Sequence, residues 1–141
     1  MTIFWILLVS LAVAFAGFAT WVRIAPNDAA TWNVEPASVA DPTTPNFARL
    51  DQVTALSPDE AAAAISAQAN AEGAVVLAGD WPHVTYLART RVMAYPDFVS
   101  IRLTAVEGGT QVVAFSRSRF GYGDGGANRA RLRRWIERLP Q

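Results

Sequence analysis

Hydrophobic positions are spread unevenly along the chain. From Ile3 to Val22 they run as IFWILLVSLAVAFAGFATWV, with no charge among them. Twenty residues at about 1.5 Å each reach about 30 Å, the thickness of a bilayer's hydrocarbon core. Trp5 and Trp21 stand near the two ends, where aromatic rings favour the interface. Arg23 closes the run. We read residues 1–23 as a transmembrane anchor whose partner, through Ile3 to Val22, is the membrane. The rival reading is a cleavable signal peptide, with Ala14-Phe15-Ala16 as an A-x-A site. Against cleavage, Met1-Thr2 brings no Lys or Arg, and the apolar run continues past Ala16. A buried core helix would show a polar stripe. The flanking charges set no orientation across the membrane.

Residues 24–46 change character. Pro26, Pro36, Pro42 and Pro45 interrupt a stretch rich in Asp, Asn, Ser and Thr. Proline removes amide donors and turns its predecessor away from helix. This predicts an extended proline-rich linker lying on a soluble domain, residues 47–141. In that domain Ser57-Pro58-Asp59-Glu60 is a capping box with proline at the first helical position, and Leu56 can staple to Ala61. The helix runs to about Ala71, and Gly73 ends it. Ala61, Ala64, Ile65 and Ala69 form a narrow apolar stripe.

Period-two alternation follows. In His83–Met93, Val84, Tyr86, Ala88, Thr90 and Val92 oppose His83, Thr85, Arg89 and Arg91, with Leu87 out of pattern. In Asp97–Val106, Val99, Ile101, Leu103 and Ala105 oppose Ser100, Arg102 and Thr104. Glu107-Gly108-Gly109-Thr110 reads as a hairpin turn. The return strand, Gln111–Arg119, is expected to point Val113 and Phe115 inward. Residues 73–80 can add a strand. Leu132, Trp135, Ile136 and Leu139 then fall at helical spacing, with Arg129, Arg131, Arg133, Arg134 and Arg138 on the remaining surface. The expected fold is α+β: one N-terminal transmembrane helix, then a small antiparallel sheet of three to five strands with two helices packed on one face.

Composition removes several functions. Twelve basic residues balance twelve acidic ones, and net charge is zero. Nothing draws the chain to nucleic acid. Every basic residue is arginine. Without cysteine there is no disulfide, thiol nucleophile or cysteine-based metal site. His83 is the only histidine and has no nucleophile or carboxylate at a telling spacing, so a surface role is expected. Asp97, after Tyr95-Pro96, reads as a turn residue. We expect no cofactor, no metal and no assigned catalytic residue.

One segment stands out. RSRFGYGDGGANRARL (117–132) joins the last strand to the last helix through Gly121, Gly123, Gly125 and Gly126. Glycine-rich loops before helices can bind anions, but the spacing matches neither common phosphate motif. The plain reading is structural, with Asp124 or Asn128 capping the helix and Asp124 paired to Arg119 or Arg129. The alternative is a ligand- or partner-binding surface made of Arg117, Arg119, Tyr122, Asp124, Asn128 and Arg129.

The same segment resembles the closing pattern S-R-x-G-x-S-D-x-G-x-N-R-x-R of an uncharacterised bacterial family, domain of unknown function 1499. Ser118, Arg119, Gly121, Asp124, Gly126, Asn128, Arg129 and Arg131 carry it. Pro45-Asn46 and Tyr95-Pro96-Asp97-Phe98 resemble two shorter family segments. Gly123 stands where serine is common, and Phe47 where a cysteine often follows Pro-Asn. The resemblance covers roughly residues 40–139. It implies a domain exported behind a lipobox, signal or membrane helix, and no established activity.

These readings lead to a single-pass inner-membrane protein with its soluble domain in the periplasm, binding a membrane-protein or periplasmic partner as an accessory module. Two alternatives stay open. One is an envelope enzyme acting on an anionic substrate, with Asp124 or Asp97 as acid/base. The other is a carrier of an apolar ligand such as a lipid or quinone, which needs a cavity between sheet and helices.

Overall fold

The capping box forms as the sequence indicates. In the computed structural model, which describes residues 1–141, Ser57 Oγ accepts from the Glu60 amide while the Glu60 carboxylate accepts from the Ser57 amide. This opens a helix over Pro58–Ala71. Numbered in chain order, the elements are α1 (Thr2–Ile24), α2 (Ala29–Trp32), β1 (Phe47–Thr54), α3 (Pro58–Ala71), β2 (Val75–Asp80), β3 (His83–Arg89), β4 (Pro96–Val106), β5 (Gly109–Ser118) and α4 (Ala127–Leu132). A π-helical turn over Arg133–Glu137 continues α4. The five strands form one antiparallel sheet in the order β1-β5-β4-β3-β2. The fold is α+β.

One strand escapes the alternation rule. β1 precedes α3 and pairs along its whole length with β5, Phe47 opposite Arg117 and Thr54 opposite Thr110. Its order is therefore strand, helix, four strands, helix. At the other end of that pairing Gly109 sits where a Cβ would lie 1.9 Å from the Thr54 carbonyl oxygen. Only glycine lets the two backbones approach this closely.

The helices α3 and α4 cover one face of the sheet. Ile65, Val84, Tyr86, Val99, Ile101, Val112, Ala114, Leu132, Trp135 and Ile136 are buried between the layers. Tyr86 and Trp135 meet edge to face at 5.6 Å. Burying each such large side chain is worth about 1.5–3 kcal/mol. The Tyr86 hydroxyl bonds Ser66, which also accepts from the Trp81 indole. These side chains occupy the middle of the layer, and a groove opens at its edge between the end of α3, β3 and α4.

β5 turns the other way from its expected phase. Val112 and Ala114, not Val113 and Phe115, face the helices, because pairing with β4 sets Leu103 against Val112 and Ile101 against Ala114. Phe115 is nevertheless buried. Both sheet faces are covered, so hydrophobicity alone did not fix the phase.

Residues 24–46 supply the second cover. Trp32 stacks on Phe98 with centroids 4.1 Å apart. Thr85 donates to Asn33, and His83 bonds the Val34 carbonyl at 2.9 Å. His83 is thus a half-buried fastening, not a free surface group. Strand arginines reach the carbonyls and carboxylates of this segment: Arg49 binds Asp41, Pro36 and Val39, Arg102 binds Glu35, and Arg117 binds Thr31 with its guanidinium 4.4 Å from the Trp32 ring. A proline-interrupted segment leaves carbonyls without backbone partners, and a five-donor guanidinium satisfies several at once.

Helix α1 is long and apolar enough to cross a bilayer. Most of it is exposed, but its C-terminal end is not free. Val22 is fully buried and Ala25 nearly so. Phe18 and Trp21 pack against Tyr95 and Phe120 of the domain, and Arg89 donates to the Arg23 carbonyl.

Candidate functional site

The closing segment folds around Asn128, which is fully buried. Gly126, in the left-handed region at φ +83°, reverses the chain into α4. This brings Asn128 beneath the end of β5. Its amide nitrogen Nδ2 donates to the Asn46 carbonyl, Ser118 Oγ and Asp124 Oδ2 at 2.7–3.0 Å. Its Oδ1 accepts from Ser116 and from Arg131. Asn46 in turn donates to the carbonyls of Ser118 and Gly121. Pro45-Asn46 and the closing motif, 82 residues apart in the case of Asn46 and Asn128, are thus one network.

Asp124 is the cap of this turn. Its carboxylate accepts from the amides of Gly126 and Asn128 and from the Asn128 side chain. Burial alone would push its carboxyl up, but these donors outweigh burial and hold it below the usual carboxylate range. A carboxyl held ionised in this way is a poor proton donor. Asp124 makes no pair with Arg119 or Arg129. Arg119 instead donates to the Pro26 carbonyl and the Asn27 side chain, with its guanidinium 5.2 Å from the Phe120 ring.

Asp97 proves to be a buried strand residue, not a turn. It has no exposed surface, and its Oδ2 accepts from Arg131 at 2.7 Å. Arg131, expected on the solvated face of the last helix, is 6% exposed because this pair holds it inside. Asp97 Oδ1 has no partner. Buried acceptors are seldom left so.

A cavity of about 380 Å³ opens beside this network. Its walls come from the turn after β3 (Thr90–Met93 and Tyr95) and from the glycine-rich loop (Phe120, Gly121, Gly123). Asp97, Ser118 and Asp124 line it as well. Tyr95 and Phe120 are the same rings that hold α1, so wall and helix end share side chains. A second, basic groove adjoins it across Thr90, Arg91 and Ala127, and contains Arg89, Arg131 and Arg134.

Of the residues singled out in the sequence, Asp124 and Asn128 come together in the network. Arg117 and Arg119 fasten residues 24–46. Tyr122, 76% exposed, and Arg129 stand in solvent. Asp97 and Asp124 share the cavity. Thr90–Met93 and Tyr95 were not anticipated as a wall. The alternation carried the expected strand through Met93 with Val92 on its apolar face, whereas β3 ends at Arg89 and Arg91–Met93 form a turn. No three His, Asp or Glu side chains gather as a metal-ligand set.

Together these features define a small α+β domain, joined to an N-terminal apolar helix, with a cavity at the junction. Residues 24–139 match the family described as "Protein of unknown function (DUF1499)", and the chain belongs to that family. The match takes in the segment that covers the second sheet face. No curated protein and no solved structure matches the chain.

Proposed function

We propose that this protein is a membrane-tethered binding module, acting as an accessory domain at the inner membrane with its soluble part in the periplasm. The observation that carries the reading is the cavity at the helix–domain junction, lined by a buried carboxylate with an unpartnered oxygen. Ligand sites are concave, mostly apolar and furnished with a few polar groups. This cavity has that make-up, and α1 supports its walls through Tyr95 and Phe120. The same packing favours a retained helix: removal of α1 would strip Phe18 and Trp21 from two domain aromatics. The periplasmic placement rests on what family resemblance implies.

Binding is favoured over catalysis on the state of the carboxylates. Asp124 is held ionised by three donors, and Asp97 is engaged by Arg131. Asp124 is therefore not a free acid. The working surface extends to the exposed Tyr122, between the wall residues Gly121 and Gly123, and to the exposed Arg129 of α4.

The test is gentle detergent extraction of the tagged full-length protein, with identification of every co-purifying protein and small molecule. Tyr122→Ala and Arg129→Ala disturb no hydrogen bond of the network. Loss of a specific companion from these variants, or from a variant with a filled cavity, supports the module. An identical, empty set of companions for wild type and all variants would refute it.

A further inference from the structure

We propose that the cavity at the helix–domain junction holds the headgroup of a membrane phospholipid that carries a hydrogen-bond donor, an ammonium or a hydroxyl. This rests on the reading of the protein as a membrane-tethered binding module and gives that module a ligand class. Three observations on different residues lead to it.

The first is position. Phe18 and Trp21 belong to the C-terminal end of an apolar helix of bilayer length. Trp21 lies at the level where indole rings settle, between hydrocarbon and water. Its ring meets Phe120 at 5.3 Å, and Phe18 meets Tyr95 at 6.3 Å. Both domain rings line the cavity. With α1 in a bilayer, the cavity stands at the interface, where lipid headgroups are the most concentrated solutes.

The second is the lining. Val92, 84% exposed, with Met93, Tyr95 and Phe120, makes one side apolar. Val92 at the turn tip offers an apolar side chain to the acyl-chain side of the interface. Asp97, Ser118 and Asp124 make the other side polar. A volume of about 380 Å³ takes a headgroup, leaving both acyl chains in the bilayer. Arg91 lines both this cavity and the adjoining basic groove, and supplies a cation for the lipid phosphate.

The third is the missing donor. Asp97 is wholly buried, Arg131 serves one of its oxygens, and the other has no partner. In the lining, Asp124 is an acceptor and Ser118 Oγ accepts from Asn128; no donor from either side chain reaches Asp97 Oδ1. The unmet requirement is therefore for a donor. Phosphatidylethanolamine offers an ammonium and phosphatidylglycerol a hydroxyl. Phosphatidylcholine, equally amphiphilic and zwitterionic, offers neither. A hydrogen bond to a charged acceptor is worth about 1.5–3 kcal/mol, so the preference corresponds to about tenfold or more.

The experiment uses the full-length chain in nanodiscs of equimolar phosphatidylethanolamine, phosphatidylglycerol and phosphatidylcholine. Lipids retained by the protein on transfer to mild detergent are counted by native mass spectrometry. The donor lipids should be retained over phosphatidylcholine by about tenfold or more. Asp97→Asn keeps an acceptor for Arg131 and turns the free oxygen into an N–H group, so it should abolish the preference. Gly123→Leu adds a bulky side chain at the cavity wall without backbone strain, since Gly123 lines the cavity and a Cβ there meets nothing within 4 Å. It should abolish retention altogether, and it serves as the readout if Asp97→Asn does not fold. Equal retention of all three lipids, lost in Gly123→Leu, would overturn the headgroup assignment and leave the binding module standing. Competition by free ethanolamine or glycerol phosphate as effective as by intact lipid would show a soluble ligand in place of a lipid. Retention unchanged in Gly123→Leu would overturn both readings.

Discussion

Trp21, in the last turn of α1, meets Phe120 of the glycine-rich loop edge to face, with ring centroids 5.3 Å apart and planes at 67°. Phe18 and Tyr95 complete the cluster. The helix is therefore not a flexible leash: its end is packed on the domain, and the packing runs through the loop that caps α4.

The first prediction tests this attachment. Phe120→Ala removes the ring that meets both Phe18 and Trp21. An aromatic pair contributes about 0.5–1.5 kcal/mol beyond its buried area. Amide exchange at Val22–Ala25 should accelerate by roughly tenfold, matching about 1.4 kcal/mol, while the domain's urea midpoint stays near wild type. Unchanged exchange at these amides would mean that the helix end is held by something else.

The second concerns Asp97 and Arg131. Both side chains are buried, at 0% and 7% exposure, so removing one strands the other's charge. Asp97→Ala should destabilise the domain by about 3–5 kcal/mol in urea unfolding. Replacing both by leucine should recover much of that loss, because no buried charge then remains. A double variant no better than the single would show that the pair also holds the Asn128 network in place.

How far the sequence carried depends on which contacts are local. The capping box, the turn at Glu107-Gly108 and the apolar face of Leu132, Trp135 and Ile136 follow from residues within one turn of each other. All were legible. β1 was not: in FARLDQVT, Leu50 and Val53 fall on opposite faces, and only pairing with β5, about 60 residues away, makes it a strand. Arg131 looked solvated because its partner Asp97 lies 34 residues earlier. The closing motif was visible as a pattern, but its reason was not. Asn128 completes a buried network with Asn46, and no spacing rule connects them.

The third prediction ranks two adjacent glycines. At Gly109 an added Cβ would strike the Thr54 carbonyl, forcing β1 away from β5. At Gly108, φ is +82° but the space is open. Gly108→Ala should cost about 1–2 kcal/mol, the strain of a left-handed alanine. Gly109→Ala should cost more, about 3 kcal/mol or above, as backbone overpacking adds to it. Thermal unfolding of the two variants decides the order, and a reversed order would contradict the β1–β5 approach.

The fourth is a pH dependence. Arg134 donates from both Nε and Nη2 to the two oxygens of Glu72, at 2.7 and 2.9 Å, and so joins the end of α3 to the π turn after α4. This guanidinium, aided by Gln68 and opposed by partial burial, lowers the Glu72 carboxyl from an ordinary 4.5 to about 2. The folded-state value lies below the unfolded one. The resulting stability is therefore present in full above about pH 4.5 and is lost as pH falls through that value toward about 2. The pair is partly exposed, 40% for Arg134 and 24% for Glu72, so solvent reduces its worth to about 0.5–1 kcal/mol. Arg134→Gln isolates the effect, since every other carboxylate titrates alike in variant and wild type. In urea unfolding the two proteins should differ by that amount at pH 6, with the difference shrinking below about pH 4.5 and all but gone near pH 2. A difference undiminished at pH 2 would show that Arg134 stabilises the domain by packing and not through Glu72.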